Sequence, residues 1–168
     1  MTGSLVVACS GVADTQAAAA AVAHLLQPGD VVLLDGELGA GKTTFTQGLA
    51  RALGVTEVVT SPTFILMRLY PTTFGFDLLH VDVYRLERLS EVVDLALPEM
   101  LDDGAVAVIE WGQRAAEVLS PDFLQIRFSL ADDEWDRRLT FETVGPRWEA
   151  RRTDLAAVLS RPAPSAPT

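Results

Sequence analysis

Eight consecutive residues, Gly36-Glu37-Leu38-Gly39-Ala40-Gly41-Lys42-Thr43, satisfy every fixed position of the pattern G-x-x-x-x-G-K-[ST]. The pattern binds phosphate for a physical reason. Glycines at 36, 39 and 41 let the backbone take positive-φ conformations, so successive N–H groups turn toward one oxyanion. A helix opening near Lys42 adds the positive end of its dipole. Lys42 would then reach the β- and γ-phosphates of a nucleotide, and the Thr43 hydroxyl would be a Mg²⁺ ligand. Thr44 is placed to contact the α-phosphate. Lys42 is also the only lysine among 168 residues, twelve arginines supplying the other permanent positive charges. The chain reads as reserving its one lysine for a nucleotide phosphate.

Such a site needs an acid at the carboxyl end of a neighbouring strand, to hold Mg²⁺ directly or through water. Glu110 ends the apolar run 105–109, and Asp82 ends the run 78–81. A charge closing a buried strand can also mark the point where the chain meets solvent. The residues alone do not divide a metal between these two acids. Ser61-Pro62-Thr63 is ordinary turn chemistry; its functional reading is a switch-like loop in which Thr63 senses γ-phosphate and metal. His80 is the one potential base beside a motif. A histidine there more often hydrogen-bonds at a strand end, so it is given no chemistry, and His24 is read as structural.

The elements that must hold these residues follow from patterning. Residues 5–9 form a first strand, Asp14-Thr15 cap an Ala-rich helix to about residue 26, and Gly29-Asp30 turn into a buried strand over 31–35. Behind the loop, Phe45, Leu49, Ala52 and Leu53 share one helical face, and Gly54 stops the helix. Strands over 64–70 and 76–83 are joined by residues 71–75. That link is too short for a parallel crossover, so the pair is an antiparallel hairpin. Helical pieces at 87–95 and 98–102 precede the strand 105–109. A second hairpin, 123–130 with 137–143, turns at Asp132-Asp133-Glu134, and a last helix covers 147–159. The expected fold is an α/β three-layer sandwich of the P-loop NTPase type with a mixed parallel and antiparallel central sheet.

Composition sets the bounds. With 49% hydrophobic residues the chain can fill one core, so residues 1–160 are expected as a single P-loop domain. The Pro/Ala/Ser-rich residues 161–168 are expected as a disordered tail. A single cysteine, Cys9, rules out an internal disulfide and suits a reducing cytosol. Residues 6–9 superficially resemble a lipoprotein cleavage box but lack a basic leader, and the apolar run 17–26 is too short to span a bilayer. These features point to a soluble, cytoplasmic protein. A net charge of −10 leaves little to neutralise nucleic-acid phosphates, so the chain should bind tRNA or DNA poorly by itself. Arg137, Arg138, Arg147, Arg151 and Arg152 are read as a solvated surface ahead of an RNA or protein contact.

Four motifs in this order resemble one family. Gly-Glu-Leu-Gly-Ala-Gly-Lys-Thr-Thr at 36–44, Ser-Pro-Thr-Phe at 61–64, His-Val-Asp-Val-Tyr-Arg at 80–85 and Ile-Glu-Trp at 109–111 look like the bacterial TsaE (YjeE) family. Pro28-Gly29-Asp30 and Asp14-Thr15 match as well, and the resemblance covers about residues 5–143. It implies an ATPase that supports threonylcarbamoyl modification of the adenosine next to the anticodon, in tRNAs reading codons that start with A. It implies TsaD and TsaB proteins as partners, through which tRNA is met indirectly. Carried over by position, Glu37, Leu38, Gly39, Ala40, Gly41, Lys42, Thr43 and Thr44 would bind ATP, with Thr15 close to the nucleotide. Thr43 and Glu110 would hold Mg²⁺. Asp82 would be a second metal-site or water-orienting acid, and Thr63 would belong to the switch loop. Trp111, Tyr84 and Arg85 match motif positions without a derived role.

Two other functions fit a phosphate loop. A small-molecule kinase is disfavoured by the strand–helix unit ahead of the loop, by the hairpins and by the lack of an Arg-rich lid. A nucleotide-gated binding module without significant catalysis is the second. A GTPase fits least, because its guanine-reading motif needs another lysine.

Overall fold

The computed structural model describes residues 3–61, 67–83, 89–94, 96–111, 120–133 and 136–161. In chain order the elements are β1 Leu5–Ser10, α1 Val12–Ala23, β2 Val31–Asp35, α2 Lys42–Ala52, β3 Met67–Pro71, β4 Asp77–Asp82 and α3 Leu89–Asp94. They continue with α4 Leu97–Asp102, β5 Val106–Glu110, β6 Phe123–Leu130, β7 Asp136–Val144, α5 Pro146–Glu149 and α6 Arg152–Leu159.

The strands form one seven-stranded sheet in the order β1-β7-β6-β2-β5-β4-β3. Its centre, β6-β2-β5-β4, is parallel. Antiparallel pairs close both sides, β6 with β7 and β7 with β1 on one, β4 with β3 on the other. The mixed sheet expected from the two short-linked hairpins is what the chain adopts.

Helices cover both faces, giving three layers. Every β2 residue before Asp35 is buried, as a strand coated on two sides requires. Alternation sends Val32 and Leu34 into a core with Ala19, Val22, Phe45 and Leu49 of α1 and α2. Val31 and Leu33 enter the opposite core with Leu97 and Leu101 of α4. The alanines of α1 let α2 come close, and at Gly48 there is no room for a side chain. A Cβ there would lie 2.7 Å from the Gln16 Cα, inside the backbone of α1.

Several boundaries differ from expectation. The first helix begins at Val12, its N-cap being Gly11 at φ 98° without a side-chain cap. Asp14 reaches back instead, accepting the Ser10 N–H at 2.9 Å. The helix stops at Ala23, short of residue 26. The last helix is two, α5 and α6, because Arg151 leaves helical geometry at φ −98°, ψ 2°. Its guanidinium turns inward to Asp30, with bonds of 2.7 and 2.8 Å. The first part of the strand expected over 64–70 lies partly outside the described residues, which resume at Met67. Among the described residues no helix is long and apolar enough to cross a membrane.

One consequence of topology positions the site. The four parallel strands end at a single sheet edge, where Leu34 and Asp82 both register with Glu110.

Candidate functional site

At that edge β2 gives way to the glycine loop, and α2 begins at Lys42. Gly36, Gly39 and Gly41 have φ of 154°, 80° and 106°. Gly36 is required twice over, because an added Cβ would also meet the Phe128 carbonyl oxygen at 2.8 Å. At Gly39 no atom lies within 4 Å of such a Cβ, so only the backbone conformation demands glycine. Glu37, Leu38 and Gly39 form an exposed apex, while Ala40 is buried beneath it. The N-cap of α2 is Gly41, and no side chain caps the helix. First-turn N–H groups that lack a side-chain acceptor, beside a loop of positive-φ glycines, suit a phosphate.

Lys42 is only 5% exposed. Its Nζ donates to the carbonyls of Gly36 at 2.5 Å and Glu37 at 3.0 Å, and sits 4.0 Å from the Trp111 ring centroid. Burial lowers its pKa from the ordinary lysine value, partly opposed by the negative charges of Glu110, Asp82 and Asp35. Trp111 holds its ring there from a left-handed backbone, φ 63°, with its backbone N–H donating to the Leu34 carbonyl at 2.8 Å.

Glu110 is 3% exposed at the end of β5. The Thr43 hydroxyl donates to its Oε1 at 3.3 Å, and His80 Nε2 lies 3.0 Å from the same oxygen. A hydroxyl and a carboxylate so placed at the mouth of the glycine loop fit one divalent cation. Among the described residues no group of three or more His, Cys, Asp or Glu side chains forms a cage for a metal. Mg²⁺ bound through phosphates needs only one or two protein carboxylates, so the residues present suffice. Asp82, paired in register with Glu110, is half-buried on the same sheet face.

The structure thus gathers Lys42, Thr43, Glu110 and Asp82, with Thr44 half-buried in the first turn of α2. Thr15 is not tied to that group. It is buried, and its hydroxyl donates to Gly11 O at 3.4 Å within its own helix start. Thr63, Tyr84 and Arg85 lie outside the described residues.

Two neighbours of the site were not expected from the sequence. Arg137, read as surface, donates from Nη2 to the Gly39 carbonyl at 3.4 Å. Only the order of strands in the sheet brings it there, and no motif marks it. His80, given no chemistry, holds Glu110. Residues 80 and 82 of one strand face the same way, but only the register with β5 brings Glu110 within reach.

A family model described as threonylcarbamoyl adenosine biosynthesis protein TsaE matches residues 9–139. A protein of Bacillus subtilis named tRNA threonylcarbamoyladenosine biosynthesis protein TsaE is 44% identical over 143 residues, covering 85% of this chain and 88% of that protein. Its namesake in Streptomyces coelicolor is 48% identical over 141 residues, 81% of this chain and 95% of that protein. A crystal structure of YdiB from Bacillus subtilis superposes with a TM-score of 0.77 at 35% identity, covering 94% and 97% of the two chains.

Proposed function

This chain belongs to the TsaE family, and from that premise we propose that it is a Mg²⁺-dependent ATPase serving threonylcarbamoyladenosine formation on tRNA. Family membership supports the part in tRNA modification. The single observation that carries the chemistry is the convergence of Lys42, Thr43 and Glu110 at one sheet edge, with Thr43 bonded to Glu110.

The loop N–H groups and Lys42 hold the β- and γ-phosphates of ATP. Thr43 and Glu110 would hold Mg²⁺, which would supply positive charge to offset the charge developing on the transferred phosphate. Asp82 shares the metal site or orients the attacking water, and Thr63 belongs to a loop that distinguishes ATP from ADP. Trp111 and the two carbonyls keep the lysine Nζ at the loop mouth before nucleotide arrives. Catalysis rests on positioning and charge stabilisation. Hydrolysis is slow until TsaD-like and TsaB-like partners complete the site in the cytoplasm. The chain's net charge of −10 leaves tRNA contact mainly to those partners.

The test is ATP hydrolysis with Mg²⁺, alone and then with the matching TsaB and TsaD proteins. A sharp rise with the partners is expected. Turnover that ignores them would return the kinase and the lone nucleotide switch to the front, and phosphate transfer to a metabolite would select the kinase.

A further inference from the structure

His80 is fully buried, and its one polar contact among the described residues is Glu110 Oε1 at 3.0 Å. Its other ring nitrogen, Nδ1, is buried without a hydrogen-bond partner among them. A histidine kept for packing alone would be a poor choice here. An apolar side chain fills the same space without leaving a polar atom unpaired. The imidazole is explained by what it holds.

Register shows how it reaches. His80 lies opposite Val108, and Asp82 opposite Glu110, on neighbouring parallel strands. Residues 78, 80 and 82 therefore share the sheet face of Glu110, and Leu78 belongs to the core under α2. His80 stands one step below the acids, between the apolar floor and the loop mouth. A carboxylate only accepts hydrogen bonds, so Nε2 carries the hydrogen that faces Glu110. Oε1 takes that hydrogen and the more distant one from Thr43, while Oε2 has no protein donor among the bonds described.

We propose that His80 is a positioning residue: it fixes the rotation of the Glu110 carboxylate so that a chosen oxygen faces the cation site beside Thr43. This deepens the reading of Glu110 as a Mg²⁺ ligand and rests on it. His80 touches neither nucleotide nor metal. It sets the ligand's orientation, as outer-shell partners of metal-binding carboxylates do, and loss of such partners typically weakens metal binding or activity about 10–100-fold.

The test reads nucleotide binding rather than turnover. ADP affinity is measured in EDTA and across a MgCl₂ titration for the full chain, for His80→Gln, for His80→Asn, and for each combined with Glu110→Gln. Glutamine carries an N–H near the place of imidazole Nε2, whereas asparagine carries one near the place of Nδ1. His80→Asn should keep its affinity in EDTA and need about 10-fold more Mg²⁺ to reach the bound state. His80→Gln should recover most of that loss. In the Glu110→Gln background the His80 changes should add nothing, since the residue acts through that carboxylate.

Equal losses in both His80 variants, a loss already present in EDTA, or additivity with Glu110→Gln would overturn the proposal. So would unfolding of both variants, which would make His80 a packing residue. Failure of the underlying site reading looks different: the unaltered protein would then bind ADP without any response to Mg²⁺.

Discussion

At the amino end of β2, Asp30 and Arg151 are buried face to face, with bonds of 2.7 and 2.8 Å. Arg151 also donates to the Leu25 carbonyl and stacks 4.0 Å from the Trp148 ring, while Asp30 accepts the Gln27 N–H at 2.7 Å. At the carboxyl end, Lys42 is as deeply buried but directs its hydrogens to two neutral carbonyls and a ring. One end matches charge with charge, using a helix that follows the family-matched segment 9–139. The other keeps a positive charge with its acids nearby and its loop open. Buried charge that is fully paired belongs to the architecture; buried charge whose hydrogen bonds go to neutral groups, with acids near but not bonded, is a candidate place for a charged ligand.

The first way to break this contrast is Arg151→Ala. It removes both Arg151 bonds to buried Asp30 and leaves only the half-exposed Arg147 at 3.5 Å and the Gln27 N–H, so stability should fall in denaturant unfolding, by less than the about 3–5 kcal/mol of a fully broken buried pair. ADP affinity of the folded fraction should hardly change. A melting temperature like that of the unaltered protein would show that the amino-end pair does not support the fold.

Glu110→Gln makes the reciprocal change. Hydrolysis, with partners present, should drop on the order of 100-fold or more, with the fold intact and nucleotide still bound. Unaltered turnover would remove Glu110 from the metal role.

Gly48→Ala probes the helix that carries the loop. Its methyl would press on the backbone of α1, costing about 1–3 kcal/mol despite alanine's better helix propensity. Thermal unfolding that is unchanged or raised would mean the two helices are not in contact as described.

The smallest effect is a pH dependence. Burial lowers the Lys42 pKa, so the unfolded chain binds that proton more tightly than the folded one. Between the lowered value and the ordinary one, stability of the nucleotide-free protein should rise slightly with pH. ADP affinity should fall over the same window, because the neutral amine loses its attraction for phosphate. Parallel slopes, or slopes that persist in Lys42→Met, would assign the titration elsewhere.

Much of the candidate site was legible because its chemistry is local. Gly36, Gly39, Gly41 and Lys42 lie within one turn of chain, and positive φ demands glycine wherever the loop occurs. Glu110 and Asp82 could be found as charges ending apolar runs. The sheet's mixed character followed from hairpin links too short to cross over. What stayed hidden depends on distant partners. Arg151 breaks the last helix to meet Asp30, 121 residues away. Arg137 reaches Gly39 only through strand order, and His80 reaches Glu110 only through register between β4 and β5. Local propensity carries none of that. The start of α1 was misplaced for a smaller reason: Asp14 satisfies a donor from inside the helix, where capping rules look for it at the front.

The most direct test of the account is a titration of the full chain and of Lys42→Ala with ADP and Mg²⁺, with thermal unfolding run alongside. The variant should lose ADP affinity by on the order of 100-fold or more and yet unfold no earlier without ligand, since it sheds a buried charge. Retained ADP affinity, or a fold that fails without the lysine, would contradict the assignment of this end of the sheet to a nucleotide.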